Sequence, residues 1–398
     1  MNFKDQVQRT MARIYLRYVS VLFCVIAAIS LMFKRPGKKA EKRLLILKPD
    51  AIGDYILFRN FLKVIRESEK YRDHHVTFCG NAAYREFAVH FDSGVVDEFI
   101  WIDKNRIYLD LPYYVRLARD LYHQYSVTIH ASRSRELLFD YVAKISSPVE
   151  RISHNGDTVN ILLPYKRISD RWYSRLIWSG DLFSFEFDAN KNFYETLLEQ
   201  PVSFIKPFLE NADDTGAGTE GLPQNFAAIF PGAQLPFRRW STANFASVCD
   251  FIQQKYQLEV VILGGNPDQK LAGEIMQLSH HKLVDLTGKT PLKHLPAVIS
   301  KARLLVTNDT MAVHIGAAMG IPVVVISQMN HYGRFVPYPH EKGINMQCVI
   351  PKEYQKEEAR VLTERFKNGS EADINLITVD QVIAAIDRTF QRNSKVEI

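Results

Sequence analysis

Residues Ile46 to Asn60 read Ile-Leu-Lys-Pro-Asp-Ala-Ile-Gly-Asp-Tyr-Ile-Leu-Phe-Arg-Asn, and this run most narrows the folds open to the chain. Leu44 to Leu47 form the short apolar run of a buried strand, and Pro49 and Gly53 punctuate it. A helical pattern then starts at Asp54 and continues through Ile56, Leu57, Asn60, Phe61 and Val64. A strand that turns directly into a helix is the unit of an open α/β sheet. Asp54 falls at the carboxyl edge of that strand, where such sheets bind their ligands. The same carboxylate also suits a helix N-cap that satisfies orphan amides.

The alternation continues along the chain. Strands are predicted near Leu44–Lys48, Val76–Cys79, Glu98–Ile102, Val127–His130 and Arg151–Ser153, with helices between them, including an aromatic one near Tyr113–Tyr125. Asn211 to Gln224 is polar and rich in glycine and reads as a linker or exposed loop. Beyond it the pattern resumes, with strands at Ala227–Phe230, Glu259–Leu263, Leu304–Thr307 and Pro322–Ser327. Helices are expected at Thr242–Tyr256, Asp268–Leu278, Leu292–Lys301, Met311–Met319 and Val379–Phe390. The implied division is residues 1–40, an N-terminal segment; 41–210, a first α/β domain; 211–224, a linker; and 225–398, a second α/β domain. A length of 398 residues with 46% hydrophobic residues suits two such cores.

Several function classes drop out. The net charge of +6 is mild, and no basic–aromatic pattern of nucleic-acid binding accompanies it. Cys24, Cys79, Cys249 and Cys348 lie far apart with no metal-ligand spacing, which implies a reduced cytosolic body without structural zinc or disulfides. Gly288-Lys289-Thr290 resembles the tail of a phosphate-binding P-loop, but Leu283 stands where that loop needs glycine. Neither a Gly-x-Gly-x-x-Gly fingerprint after a strand nor a Gly-x-Ser-x-Gly elbow occurs. No cofactor and no metal is expected.

The N-terminus is of different material. Tyr18 to Phe33 is apolar apart from Ser20 and Ser30; counted from Ile14 it just reaches the roughly 20 residues a bilayer span takes. Arg9, Arg13 and Arg17 precede it, and Lys34, Arg35, Lys38, Lys39, Lys42 and Arg43 follow. The absence of a small-residue cleavage site after Phe33 argues against a signal peptide. The expectation is a hydrophobic helix that anchors the chain at a membrane, spanning it or lying in its interface, with the body on the cytoplasmic side. A core helix of the first domain is the competing reading.

A second stretch, Arg303 to Ile326, reads strand, then Thr-Asn-Asp-Thr-Met-Ala-Val-His, then a small-residue helix and another strand. Between the two stretches stand Pro231-Gly232-Ala233, Arg238-Arg239-Trp240, a strand ending in Gly264-Gly265, and Leu-Thr-Gly-Lys-Thr from Leu286 to Thr290. This ordered set, with Gly53-Asp54 at its head and Asn308, Asp309, Thr310 and His314 at its end, resembles glycosyltransferase family 9. That family comprises the ADP-heptose:lipopolysaccharide heptosyltransferases and their relatives. The resemblance implies the GT-B fold, two Rossmann-like doubly wound domains facing a cleft. It further implies an inverting, metal-independent sugar transfer from a nucleotide-diphosphate donor, ADP-heptose above all, to a lipopolysaccharide core or related cell-envelope glycan. A capsule-building transferase using another nucleotide sugar, or a non-catalytic binding protein of the same shape, remains the alternative. The site would be the cytoplasmic face of a bacterial inner membrane.

Such chemistry needs a base, a stabiliser for the departing diphosphate and polar groups on the sugar. Asp54 is the candidate base. Arg238 offers a fork for phosphate oxygens, keeping the charge of the lysine common at this position in the family but changing its geometry. The helix expected to begin near Thr310 offers amides and a dipole to an anion. Asp309 suits sugar hydroxyls, or an N-cap. Met311 replaces the glycine usual after Asp-Thr, and a backbone amide contact survives there if the residue is helical. His314 faces the cleft or is a satisfied helix histidine; Thr290 touches nucleotide or caps the turn at Pro291. On the acceptor side His130, Arg133 and Arg135 follow the fourth strand, as a basic cluster for phosphate and acidic sugars or as a solvated face. His331 and Arg334 are similarly open to either reading.

Overall fold

The computed structural model describes residues 3–35, 41–181, 183–210 and 218–393. Two compact units emerge, Met1–Gly180 with Ala189–Ser203, and Asp181–Asp188 with Phe204–Ile398.

The first unit opens with α1 (Phe3–Met32), β1 (Arg43–Lys48), α2 (Ile52–Ile56), α3 (Asn60–Glu67), β2 (His75–Asn81) and α4 (Arg85–Asp92). It continues with β3 (Glu98–Ile102), α5 (Leu111–Leu121), β4 (Val127–His130), α6 (Leu137–Ser146) and β5 (Glu150–His154). α7 (Leu163–Asp170) and β6 (Arg175–Ile177) follow, and α8 (Glu186–Leu198) contributes from Ala189 onward. Every strand pairing is parallel, in the order β3-β2-β1-β4-β5-β6. β1 is central because Leu44 to Leu47 are wholly buried, as a strand covered on both faces demands. Its register sets Leu47 beside Cys79 on one side and His130 on the other.

Local chemistry places the helices. Asp110 caps α5 by accepting from the Tyr113 amide at 2.9 Å, with Pro112 in the first turn where its missing N–H costs nothing. α2 starts at Ile52, two residues earlier than the pattern suggests. Its N-cap is Ala51, so the expected capping role for Asp54 is corrected: Asp54 lies in the first turn.

α1 belongs to the first unit. α1 buries Phe23, Cys24, Ala27 and Leu31 in the same core as Tyr114, Leu117, Leu121, Leu138 and Val142 of α5 and α6. Cys24 Sγ lies 3.5 Å from the Tyr114 hydroxyl, and burial pushes its thiol up to about 12. Among the described residues no helix is long and apolar enough to cross a membrane. The side chains of Arg9, Arg13 and Arg17, and residues 36–40 with Lys38 and Lys39, lie outside the described part, as do residues 211–217 of the expected linker.

The second unit runs β7 (Phe226–Phe230), α9 (Thr242–Tyr256), β8 (Glu259–Ile262), α10 (Gln269–Leu278), β9 (Val284–Asp285) and α11 (Leu295–Ser300). β10 (Leu304–Asn308), α12 (Met311–Met319), β11 (Val323–Ile326), β12 (Met346–Val349), α13 (Ala359–Phe366) and α14 (Val379–Asn393) complete it. Its sheet is again wholly parallel, in the order β12-β11-β10-β7-β8-β9. Ile229, Val248, Ile262, Ile275, Val306 and Ile386 share its core. α12 is capped by Thr310, whose hydroxyl accepts from the Ala312 amide, and ends at Gly320, which takes the left-handed conformation at φ 73°.

Candidate active site

In the first unit, charged groups converge at the carboxyl ends of β1, β3 and β4. Lys48 is the only charged residue of β1 beyond its first position, and its ammonium is buried 2.9 Å from the Ala131 carbonyl and 2.8 Å from Asp50. Ser132 donates to the same carboxylate oxygen, Asp50 Oδ2, at 2.6 Å, while the Asn81 amide donates to the Asp50 carbonyl at 3.1 Å. Against the cost of burial, the Lys48 and Lys104 ammoniums hold the Asp50 carboxyl down at about 2. Lys104, in the loop after β3, pairs with Glu136 at 2.8 Å. Burial disfavours the Lys104 charge, but Glu136, Asp50 and Asp54 together raise its pKa. Burial pushes Glu136 up despite Lys104. Asp54 is half-buried, and its carboxylate acts on the Lys104 ammonium.

The expected acceptor cluster is a different object. His130 and Arg135 have no exposed surface and Arg133 almost none, so an open basic patch is corrected. His130 Nδ1 lies 2.8 Å from the Tyr173 hydroxyl, which donates to Asp140 at 2.6 Å. Arg135 pairs with Asp170, stands 3.5 Å from Asp140 and covers the Tyr173 ring at 4.8 Å. Burial alone would raise Asp140, but His130 and Arg135 hold it below the ordinary carboxylate range. This network ties β4 to α6 and α7 behind the sheet edge.

In the second unit the edge is organised by Asn308. Its amide donates to the Pro231 carbonyl at 2.7 Å, and its carbonyl accepts from the Trp240 amide at 3.3 Å. Trp240 is buried, with Nε1 donating to the Ile377 carbonyl at 2.8 Å. The loop between Pro231 and Trp240 is thus fixed at both ends, and it carries Arg238. Arg238 Nη2 donates to the Asp309 carbonyl at 2.7 Å and stands 3.4 Å from the Asp309 carboxylate. Its Nε is buried without a partner among the described residues, a donor that an anion would satisfy. Asp309 is buried, which pushes its carboxyl up although Arg238 and Ser327 oppose the shift.

The glycines nearby are explained by contact. A Cβ on Gly232 would stand 2.5 Å from the Asp268 carboxyl, and one on Gly264 would stand 2.9 Å from it. The Asp268 carboxylate accepts from the Gly265 amide at 2.9 Å, so the two loops close over one side chain.

The remaining predicted residues sort clearly. Thr310, rather than Asp309, is the N-cap of α12. Met311 is the first helical residue and meets the condition for a backbone contact. His314 is a satisfied helix histidine, buried with Nδ1 2.9 Å from the Tyr338 hydroxyl, and burial lowers its pKa to about 3. Thr290 lies half-buried after β9, and the turn that follows has Pro291 as its cap. His331 bonds the Lys367 carbonyl at 2.6 Å and Arg334 pairs with Glu186 at 2.8 Å, so neither is open. Lys48, Asp50, Lys104 and Glu136 were not anticipated, and Asn308 entered only as part of the Asn-Asp-Thr motif. A lysine closing an otherwise apolar strand was the one available signal for them. Among the described residues no His, Cys, Asp or Glu cluster suits a metal ion.

A family model of glycosyltransferase family 9 (heptosyltransferase) matches residues 159–364. The chain belongs to glycosyltransferase family 9. It is 27% identical over 197 residues to lipopolysaccharide heptosyltransferase 3 of Escherichia coli, covering 49% of this chain and 54% of that protein. It is also 27% identical over 227 residues to lipooligosaccharide heptosyltransferase 2 of Haemophilus influenzae, covering 53% and 62%. The chain thus spans between half and two thirds of the length of these curated relatives. Two solved structures share the fold. A family 9 glycosyl transferase of Veillonella parvula aligns over 90% of this chain and all of its own, with TM-score 0.67 and 21% identity. The E. coli heptosyltransferase WaaC with ADP aligns over 87% of this chain and 99% of its own, with TM-score 0.64 and 13% identity. The family 9 match includes the Arg238 loop and the Asn308–His314 segment but begins after Asp54.

Proposed function

We propose that this family 9 chain is an inverting glycosyltransferase that moves a heptose-like sugar from ADP-heptose to a lipopolysaccharide core or related envelope glycan. The observation that carries the reading is the Arg238–Asp309 pair on the loop locked by Asn308. A guanidinium with an unsatisfied buried Nε, beside the N-terminus of α12, is suited to a diphosphate leaving group. Thr290 lines the same sheet edge and is assigned to the nucleotide. Asp54 takes the proton of the acceptor hydroxyl as that oxygen attacks the anomeric carbon and the bond to the diphosphate breaks, giving one inversion. Lys104 and Lys48 keep neighbouring Asp50 ionised, and Asp54 is among the carboxylates that raise the pKa of Lys104, so a cation stands in the field of the proposed base. The relatives' names support heptose, and the ADP of the solved neighbour supports the base. The body works on the cytoplasmic face of a membrane that carries the acceptor.

The test is calorimetric titration of the whole chain with ADP, UDP and GDP, followed by turnover of Asp54→Asn. ADP should bind best, and the variant should keep that affinity while turnover falls on the order of 100-fold or more. Preference for UDP or GDP would move the chain to another donor; full turnover by the variant would remove Asp54 from the chemistry.

A further inference from the structure

With its inner face sealed in the core, α1 leaves a second apolar face outside. Tyr18, Leu22, Val25, Ile29 and Met32 recur at alternating steps of four and three residues and so form one stripe. They are 70, 54, 51, 52 and 78% exposed, and Phe33 extends the stripe at 86%. An uncovered apolar row of this length is not ordinary soluble surface.

Beside the stripe, α1, α6 and α7 enclose a groove of about 250 Å³. Val21, Val25 and Ala28 form one wall; Leu137, Ile168 and Trp172 form the other. Sites for polar small molecules place a few convergent polar groups in the pocket, and this groove offers an almost wholly apolar lining. Its rim has another character. Lys144 Nζ stands 4.8 Å over the Trp172 ring, and exposed Arg167 and Arg171 flank Ile168 along α7 and its cap. Exposed Arg35 follows the end of the stripe, and the Lys34 ammonium is held there by the Arg119 carbonyl. The nearby carboxylate, Asp170, is already engaged by Arg135 and Lys166. Apolar surface bordered by tryptophan, tyrosine and cations matches the depth profile of a membrane interface with anionic headgroups.

We infer that this face of the first unit docks on an anionic phospholipid leaflet, with α1 lying in the interface plane and one acyl chain entering the α1–α6–α7 groove. The inference rests on the membrane location proposed above and adds its geometry. A helix whose inner face is part of a protein core lies on the bilayer.

The full chain would be mixed with vesicles of phosphatidylglycerol and phosphatidylcholine, and with phosphatidylcholine alone. It should sediment with the anionic vesicles and release with salt. Val25→Glu and Ile168→Glu, both at the surface, should each weaken partition by about tenfold or more, with melting temperature and ADP affinity unchanged. Lipids brominated on the acyl chain should quench tryptophan emission in the parent, and Trp172→Phe should lose most of that quenching. A parent chain that binds neither vesicle would defeat the membrane location itself. Binding that survives both glutamate variants would defeat this face as the docking surface. Quenching unaffected by Trp172→Phe would remove the acyl chain from the groove. A dimer in solution that Val25→Glu dissociates would give the face to a second copy of the chain.

Discussion

Asn308→Ala removes the side chain that ties both ends of the Arg238 loop to the sheet edge. Two buried backbone groups lose their partner: the Pro231 carbonyl, bonded at 2.7 Å, and the Trp240 amide, bonded at 3.3 Å. Orphaning a buried polar group costs about 1–3 kcal/mol. The longer bond belongs at the low end of that range, so the expected loss is about 2–4 kcal/mol. The binding consequence is separate. With the loop untied, Arg238 must be ordered by the ligand, and a tenfold weaker ADP affinity corresponds to about 1.4 kcal/mol of that cost. Chemical denaturation followed by circular dichroism reads the first quantity, and calorimetry with ADP reads the second. Asn308→Asp serves as the control, because it keeps the acceptor for Trp240 and loses the donor to Pro231. It should be at least as destabilising as alanine, because it sets a buried carboxylate against the Pro231 carbonyl oxygen, and at least as harmful to ADP binding, since it adds a negative charge near the diphosphate. An alanine variant within about 0.5 kcal/mol of the parent, with unaltered ADP affinity, would refute the clamp.

Arg238→Ala should weaken ADP binding by about ten- to a hundredfold, with Arg238→Lys in between, since lysine keeps the charge without the fork; equal affinity in all three proteins would dismiss the diphosphate role. Transfer should persist in excess EDTA, and loss of activity restored by manganese or magnesium would overturn the metal-independent reading. His314 is held neutral, its pKa lowered from 6.5 to about 3 by burial. The unfolded chain therefore takes up a proton below pH 6.5 that the folded chain refuses, and stability falls as pH drops from there toward 3. For this group the loss is about 2 kcal/mol at pH 5, and His314→Gln should flatten the pH 5–7 stability profile by that amount.

The strands that the sequence made plain are the central ones. β1, β2, β4, β7, β8, β10 and β11 are covered on both faces and read as continuous apolar runs. β6, β9 and β12 escaped notice, and all three lie at sheet edges, where two to four residues need only partial burial. β3, the fourth edge, was legible because Phe99, Ile100, Trp101 and Ile102 form a run of strand-favouring residues; in the fold Phe99 stacks on Trp101 at 5.3 Å. In the site, Asp54 and Arg238 were findable because turn punctuation marks the ends of strands. Lys104 and Glu136 were not: they meet from two loops, and nothing in either loop's own residues signals the other. His130 and Arg135 misled for a related reason. Position after a strand says which edge a residue is near, whereas Tyr173, Asp140 and Asp170 decide that it points inward.

The position of α1 in the order of synthesis has a consequence for how the protein is made. Its inner face is completed by α5 and α6, the latter ending at Ser146, and β1 gains its second neighbour only when β4 arrives. At about 5–20 residues per second, roughly 5 to 25 s separate the emergence of Met32 from that of Ser146. Throughout that interval both faces of the helix are uncovered on a nascent chain. Any surface able to hold Leu22, Val25 and Ile29 competes in time with the domain that must claim Phe23, Cys24, Ala27 and Leu31. A more hydrophobic outer stripe would therefore act first on the yield of folded protein, through early capture of α1.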